Sequence, residues 1–163
     1  MADVVRELGL LTLGTRLKRI GERLQGQTQR ILDAHELPIQ AAQFPFLAAI
    51  DRLGPVTVGD IADAVGVTQP GATRALAQLA DAGLVEIAAN TADQRRKSIT
   101  LTAHGERLVE LGKRDVWPVI EAAVKDLCRK VSGTLLEQLA AIEDGLGEQS
   151  LDRRAAVIRA RRK

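Results

Sequence analysis

The 163-residue sequence has no tyrosine, only two phenylalanines (Phe44, Phe46) and one tryptophan (Trp117). Single-stranded nucleic acids are held on exposed aromatic platforms, so that mode of binding is excluded for want of side chains, and aromatic cages go with it. One cysteine, Cys128, leaves neither an internal disulfide nor a cysteine-based zinc site. A reducing, cytoplasmic setting is the expectation. No apolar run approaches the roughly 20 residues that cross a bilayer, so no membrane partner is expected. The opening MADVVRELGLL lacks the basic start and cleavage site of a secretory signal. The two histidines, His35 and His104, sit in no nucleophile-like motif, and there is no glycine-rich phosphate loop, paired-carboxylate motif or HExxH. The sequence therefore reads as a non-enzyme, without cofactor or metal.

What is present is charge, unevenly placed. The formal net charge is +2, with 23 basic and 21 acidic residues. Residues 153–163 (RRAAVIRARRK) hold six of the basic residues and no acid, so the remainder carries 17 against 21, a balance of −4. A mildly acidic body with a basic end points to polyanion contact or to a solvated terminus.

Apolar periodicity divides the chain. Leu10, Leu13, Leu17, Ile20, Leu24 and Ile31, with Gln27 filling the position between the last two, alternate in steps of three and four, predicting one long helix over 8–34 with a narrow seam for another helix. Leu37-Pro38 ends it. A second helix is expected over 39–53, closed by Gly54-Pro55. Thr57 to Asp60 forms a capping box for a third helix through Val65, which Gly66 closes. Thr68 caps a fourth helix, with Pro70 in its first turn, ending at Gly83. The period then switches to two, giving short strands at Leu84–Ile87 and Ser98–Leu101. A further helix begins near Thr102 or Ala103, with Pro118 expected to kink it or mark a restart. Thr134 to Glu137 is a second capping box, opening a helix to about Leu146.

Ala62 and Gly66 stand four apart at the elbow between the third and fourth helices, over a small expected core of Ile61, Val65, Val67, Leu76 and Leu79. A small residue where helices cross, and one free to take positive φ at the turn, make a helix-turn-helix layout. A polar hairpin tip, Asp93-Gln94-Arg95-Arg96-Lys97, follows at the distance of a wing. The GPVTVGDIADAVGVT entry, the RALAQLADAGLV exit, the wing DQRRKSITLT and the Thr102-Ala103-His104-Gly105 turn together resemble the winged helix-turn-helix of the MarR family of transcriptional regulators. The fold implied is mainly α with a small β-hairpin wing. Residues 37–102 would form the DNA-binding lobe, and 1–36 and 103–163 the dimerisation helices.

In such a lobe the fourth helix enters the major groove. Thr68, Gln69, Thr73 and Arg74 project from its N-terminal half. Gln69 suits adenine and Arg74 suits guanine or a phosphate. Pro70 and Gly71 bring that turn close to the DNA backbone or a thymine methyl. The resemblance gives Arg95 a minor-groove contact steadied by Asp93, while Arg96 and Lys97 suit phosphates. It also implies a homodimer on a pseudo-palindromic operator, repression, and release by a small anionic aromatic effector in a pocket to which Phe44, Phe46 and Trp117 contribute. Cys128 continues an apolar stripe beside Leu127 and Val131 and is expected in the core. Two alternatives stay open: a redox-responsive regulator acting through Cys128, and a winged-helix protein-interaction module without DNA binding.

Overall fold

The computed structural model describes residues 2–89, 97–131 and 133–161. The chain starts with α1 (Val4–Glu7), a 3-10 turn (Gly9–Thr12) and α2 (Leu13–Ala34). The single helix expected over 8–34 is thus broken near its start. Gly9 takes a φ of +58°, outside the helical range, and the segment before it is tied back onto α2. The Asp3 carboxylate accepts two hydrogen bonds from the Arg19 guanidinium, at 3.1 and 2.9 Å, and the Thr12 hydroxyl donates to the Val5 carbonyl. Leu10 therefore lies off the seam and is 87% exposed. The fully buried residue of α2 is Leu32, which the seam does not contain.

After α2 the Gln29 side chain clamps the chain. It donates to the Ile39 carbonyl at 3.2 Å and accepts from the Ala41 N–H at 2.7 Å. A 3-10 turn (Ala41–Gln43) precedes α3 (Phe44–Leu53), so the helix expected from residue 39 starts later. Pro45 has no N–H and sits in the first turn of α3, the one part of a helix that tolerates it. Gly54, at φ +78°, ends α3.

The two central helices form as expected. Thr57 and Asp60 cap α4 (Val58–Val65) reciprocally, and Gly66 closes it in the left-handed conformation, φ +72°. Thr68 accepts from the Gly71 N–H at the start of α5 (Gln69–Asp81). At its end the Leu84 N–H returns to the Leu79 carbonyl and the Gly83 N–H to Ala80, with Gly83 at φ +68°. Strands β1 (Val85–Ala89) and β2 (Lys97–Leu101) pair antiparallel, with Ile87 opposite Ile99. Val56 adds an unanticipated bridge on the other edge of β2, exchanging hydrogen bonds of 3.2 and 2.8 Å with Ile99.

Helix α6 (Ala103–Leu111) runs through a π-helical turn (Gly112–Val116) into α7 (Trp117–Leu127). The kink expected from Pro118 takes this form. Proline cannot donate to the carbonyl four residues back, that of Arg114, and a widened turn relieves the clash of its ring with that group. The turn also seats Trp117: a Cβ on Gly112 would lie 2.5 Å from the indole Nε1. Lys113 holds the same turn to α3 through Asp51 at 2.9 Å and to Glu110 at 3.0 Å. Hydrogen bonding to Asp51, and then to Glu110, holds its ammonium pKa above the ordinary lysine value.

Leu32, Leu47, Ile50, Ile61, Leu76, Leu79, Leu84, Ile99 and Val116 are essentially solvent-free and make one core from α2 to the π turn. Of the five core residues expected at the elbow, Ile61, Leu76 and Leu79 are buried and Val65 is half-buried. Val67 stays 40% exposed, because it lies in the turn after Gly66 rather than on a helix face.

Residues 122–163 form a separate unit. It continues α7 through a 3-10 turn (Cys128–Lys130) and contains α8 (Leu135–Glu148) and α9 (Leu151–Arg161). None of its described residues is fully buried. Cys128 is accordingly half-buried rather than core, and Leu127 and Val131 beside it are exposed. The capping box expected at Thr134 does not form: its ψ is 76° rather than extended, and its side chain makes no cap hydrogen bond. The basic end is helical. Arg154 donates to the Gln149 carbonyl at 2.9 Å and to the Gly145 carbonyl, which also accepts from the Gln149 N–H at 3.2 Å. Among the described residues no helix is long and apolar enough to cross a membrane.

Candidate nucleic-acid interface

The candidate interface is built on the contrast between the two faces of α5. Ala72, Leu76 and Leu79 face the core. Ala62 of α4 is 2% exposed at the crossing, where a larger side chain would push the helices apart. Positions out of phase with that buried row are wet: Thr68, Gln69, Pro70, Thr73 and Arg74 are all exposed. The structure thus brings together the five residues expected to meet a groove on one end of a rigidly packed helix.

Their individual chemistry is distinct. Thr68 spends an oxygen lone pair on the Gly71 N–H, 3.3 Å away. Thr73 donates its hydroxyl to the Gln69 carbonyl at 2.9 Å, which leaves its oxygen able to accept. The Gln69 amide lies over the first turn of α4, where a Cβ on Gly59 would stand 3.6 Å from its Nε2. Arg74 makes no ion pair or hydrogen bond among the described residues, so its five donors face water. At the far end of α5, Gln78 accepts from the Gln43 amide at 3.3 Å, a tie to the 3-10 turn before α3.

Lys97 opens β2, opposite Ala89, and is exposed. Asp93, Arg95 and Arg96 lie outside the described residues. What is described of the wing is its root. The Thr102 hydroxyl donates to the Gly83 carbonyl at 2.7 Å and accepts from the Gly105 N–H at 3.0 Å, while the Thr102 N–H reaches the Leu84 carbonyl at 3.1 Å. The sequence marked Thr102 as a helix start and gave no sign of the bond to Gly83, which joins residues 19 apart. Val56 was missed similarly, because one bridging residue has no period to read.

Of the three aromatics, Phe44 and Trp117 meet edge to face, with centroids 4.5 Å apart. They line a small apolar hollow with Leu37, Ile39, Leu47, Leu108, Val109 and Gly112. Its volume of about 10 Å³ has room for about one water. Phe46 is buried in the core and is not part of that lining.

The sequence pattern of the MarR family matches residues 37–96. The chain is 31% identical over 128 residues to the HTH-type transcriptional regulator FarR of Neisseria gonorrhoeae, covering 77% of this chain and 86% of FarR. The chain belongs to the MarR family. It is accordingly a MarR-family transcriptional regulator with a winged-helix fold. Among solved structures it is similar to the transcriptional repressor CouR bound to a 23-mer DNA duplex, at 26% identity and a TM-score of 0.70, over 83% of this chain and 96% of CouR. It is also similar to Bordetella bronchiseptica BpsR, whose DNA binding is regulated by 6-hydroxynicotinic acid. There the identity is 25% and the TM-score 0.55, over 75% of this chain and 94% of BpsR. In this MarR-family chain the helix-turn-helix and the hairpin are the parts that the sequence resemblance assigned to DNA.

Proposed function

We propose that this MarR-family regulator is a cytoplasmic homodimeric repressor that reads a pseudo-palindromic operator in duplex DNA. The observation that carries the reading is the exposed row Thr68, Gln69, Thr73 and Arg74 on a helix whose opposite face is locked in the core. Arg74 supplies two parallel donors to guanine or a charge to phosphate, Gln69 matches adenine, and Pro70 permits close approach. Lys97, with Arg96 of the wing, adds phosphate contacts; Arg95, steadied by Asp93, enters the minor groove. The likeness to CouR, a repressor bound to duplex DNA, supports both the contact and the sign of regulation.

Pairing of two chains follows from apolar surface. Leu10, Leu11, Leu127, Leu136 and Leu151 are each more than 60% exposed. Leaving such side chains in water forgoes roughly 1.5–3 kcal/mol apiece, and a second copy is the cover a twofold regulator supplies. Residues 1–36 and 103–163 are the dimerisation segments in this reading, and the two α5 helices meet consecutive turns of duplex about 34 Å apart. A small anionic aromatic releases the DNA, a role supported by the likeness to BpsR. Phe44 and Trp117 border its site, and the aromatic pair must open to admit it.

The test is selection of genomic fragments with the purified chain, followed by titration of the recovered duplex with wild type and Arg95→Ala. The expected result is a fragment with twofold symmetry, a dimer by light scattering, and more than about tenfold weaker binding by the variant with the dimer intact. A monomer, or a chain that enriches no fragment at low salt, overturns the reading.

A further inference from the structure

We propose that Thr102 is a positioning residue for DNA recognition, its hydroxyl fixing the angle at which the wing leaves the recognition helix. The inference rests on the DNA-binding reading above. The two reading elements, α5 and the β1–β2 hairpin, are linked along the chain by Ala82, Gly83 and Leu84. A two-stranded ribbon of five-residue strands has little stability of its own, so its direction must come from tethers. Beyond the burial of Val85 and Ile99 in the core, the structure supplies two hydrogen-bonded ones. One is the Val56–Ile99 bridge in the middle of β2. The other is Thr102, directly after β2 ends.

The second tether gathers three elements at one side chain. The Thr102 hydroxyl donates to Gly83 at the end of α5, at 2.7 Å, and accepts from the Gly105 N–H in the first turn of α6, at 3.0 Å. Its own N–H meets the carbonyl of Leu84, the residue before β1, at 3.1 Å. Gly105 allows the crossing to be this tight, since a Cβ there would sit 2.0 Å from the Leu84 oxygen. Without the hydroxyl the Thr102 N–H still meets Leu84, and Val56 and the buried Ile99 still anchor the middle of β2, but the bonds from the end of β2 to α5 and α6 are gone and the ribbon can tilt about Ile99. A tilt of about 10° about Ile99 moves Lys97, two residues and roughly 7 Å away, by about 1 Å. That displacement breaks hydrogen bonds whose length range is only about half an ångström. Thr102 is thus expected to act through the wing and not through α5.

Thr102→Val keeps the β-branched shape and removes the hydroxyl; Thr102→Ser keeps the hydroxyl. The probe is the genomic duplex recovered with the wild-type chain, and the readout is a double-mutant cycle with Arg95→Ala and Arg74→Ala. Thr102→Val is expected to weaken binding about tenfold. In that background Arg95→Ala should cost less than about threefold, against more than about tenfold in wild type, while the cost of Arg74→Ala is unchanged. Thr102→Ser should stay within about threefold of wild type and keep the full cost of Arg95→Ala. Thr102→Ala repeats the cycle if the valine variant does not fold. An Arg95→Ala cost that is equal in the two backgrounds overturns the proposal, even if the melting temperature has fallen, because a purely structural bond lowers stability without uncoupling the wing. A wild-type chain that recovers no duplex, or that tolerates Arg95→Ala, overturns the DNA or wing reading itself and this inference with it.

Discussion

The carbonyl oxygen of Leu84 occupies the space that a Cβ on Gly105 would need, 2.0 Å from where that atom would stand. This close approach explains why the turn that opens α6 ends in glycine: the first turn of the helix is pressed onto the link between α5 and β1. The two nearest atoms, the Leu84 oxygen and carbonyl carbon, are backbone, so a methyl group here must displace backbone. Gly105→Ala is expected to cost about 1–3 kcal/mol, and thermal unfolding should move down by about 2–4 °C for each kcal/mol. Gly26→Ala, in α2 with nothing within 4 Å of the added carbon, is the control and should gain up to about 1 kcal/mol from helix propensity. Equal melting temperatures for the two variants would contradict the close approach.

The start of the chain should answer to acid. The Arg19 guanidinium, hydrogen-bonded to Asp3, holds that carboxyl below its ordinary value of 3.8, with the Arg6 N–H helping at the helix cap. A carboxyl whose pKa is lower in the folded state stabilises fully above the unfolded value, and its contribution fades as pH falls through the folded one. The tie between residues 3–12 and α2 should therefore hold above pH 3.8 and loosen below it. Hydrogen exchange at the Glu7 and Leu8 amides, followed from pH 5 downward, reads this directly after correction for intrinsic rates. Asp3→Asn should abolish the step, and a pH-independent opening in wild type would refute it.

Most of the lobe was legible from residues because its signals are local. Thr57 with Asp60, Gly66, Thr68 and Gly83 each mark a helix end within four residues of themselves, and all four act as expected. The row on α5 was expected from the resemblance to the helix-turn-helix, and its residues are exposed. What escaped has a long sequence reach or depends on conformation. Gly9 lies inside the helix expected over 8–34, and its positive φ breaks that helix. Thr134 carried the residues of a cap but not its backbone angle. Cys128 sits on an apolar stripe, yet a stripe states only which side chains align, not that anything within the chain covers them. The bond from Thr102 to Gly83 spans a hairpin, and no periodicity encodes it.

Arg74 tests base reading apart from charge. Its guanidinium is exposed and has no partner among the described residues, so removing it leaves no buried group unsatisfied. Stability should shift by less than about 0.5 kcal/mol on Arg74→Ala. If the side chain pairs with a guanine, the ratio of affinities for the recovered duplex and a random one should fall by about 1–3 kcal/mol, or roughly 5- to 150-fold. Arg74→Lys separates the alternatives, since lysine keeps the charge but not the paired donors. A ratio that neither substitution alters leaves Arg74 as a phosphate ligand at most.

The arginines of α9 pose the corresponding question for charge without sequence. Arg154 is committed to the carbonyls of Gln149 and Gly145, so it belongs to the joint with α8. Arg153, Arg159 and Arg161 have no partner among the described residues, in a chain whose first 152 residues are net acidic. Each phosphate neutralised contributes about 0.9 to the slope of log affinity against log salt. Replacing these three by glutamine should shallow that slope by about 0.9 for every phosphate no longer neutralised, up to about 2.7 per chain, and equally on recovered and random duplex. Sequence discrimination should persist, because charges on the DNA backbone position a protein without being read. An unchanged slope, measured by anisotropy from low salt upward, would show that the positive charge of α9 faces only water and its counterions.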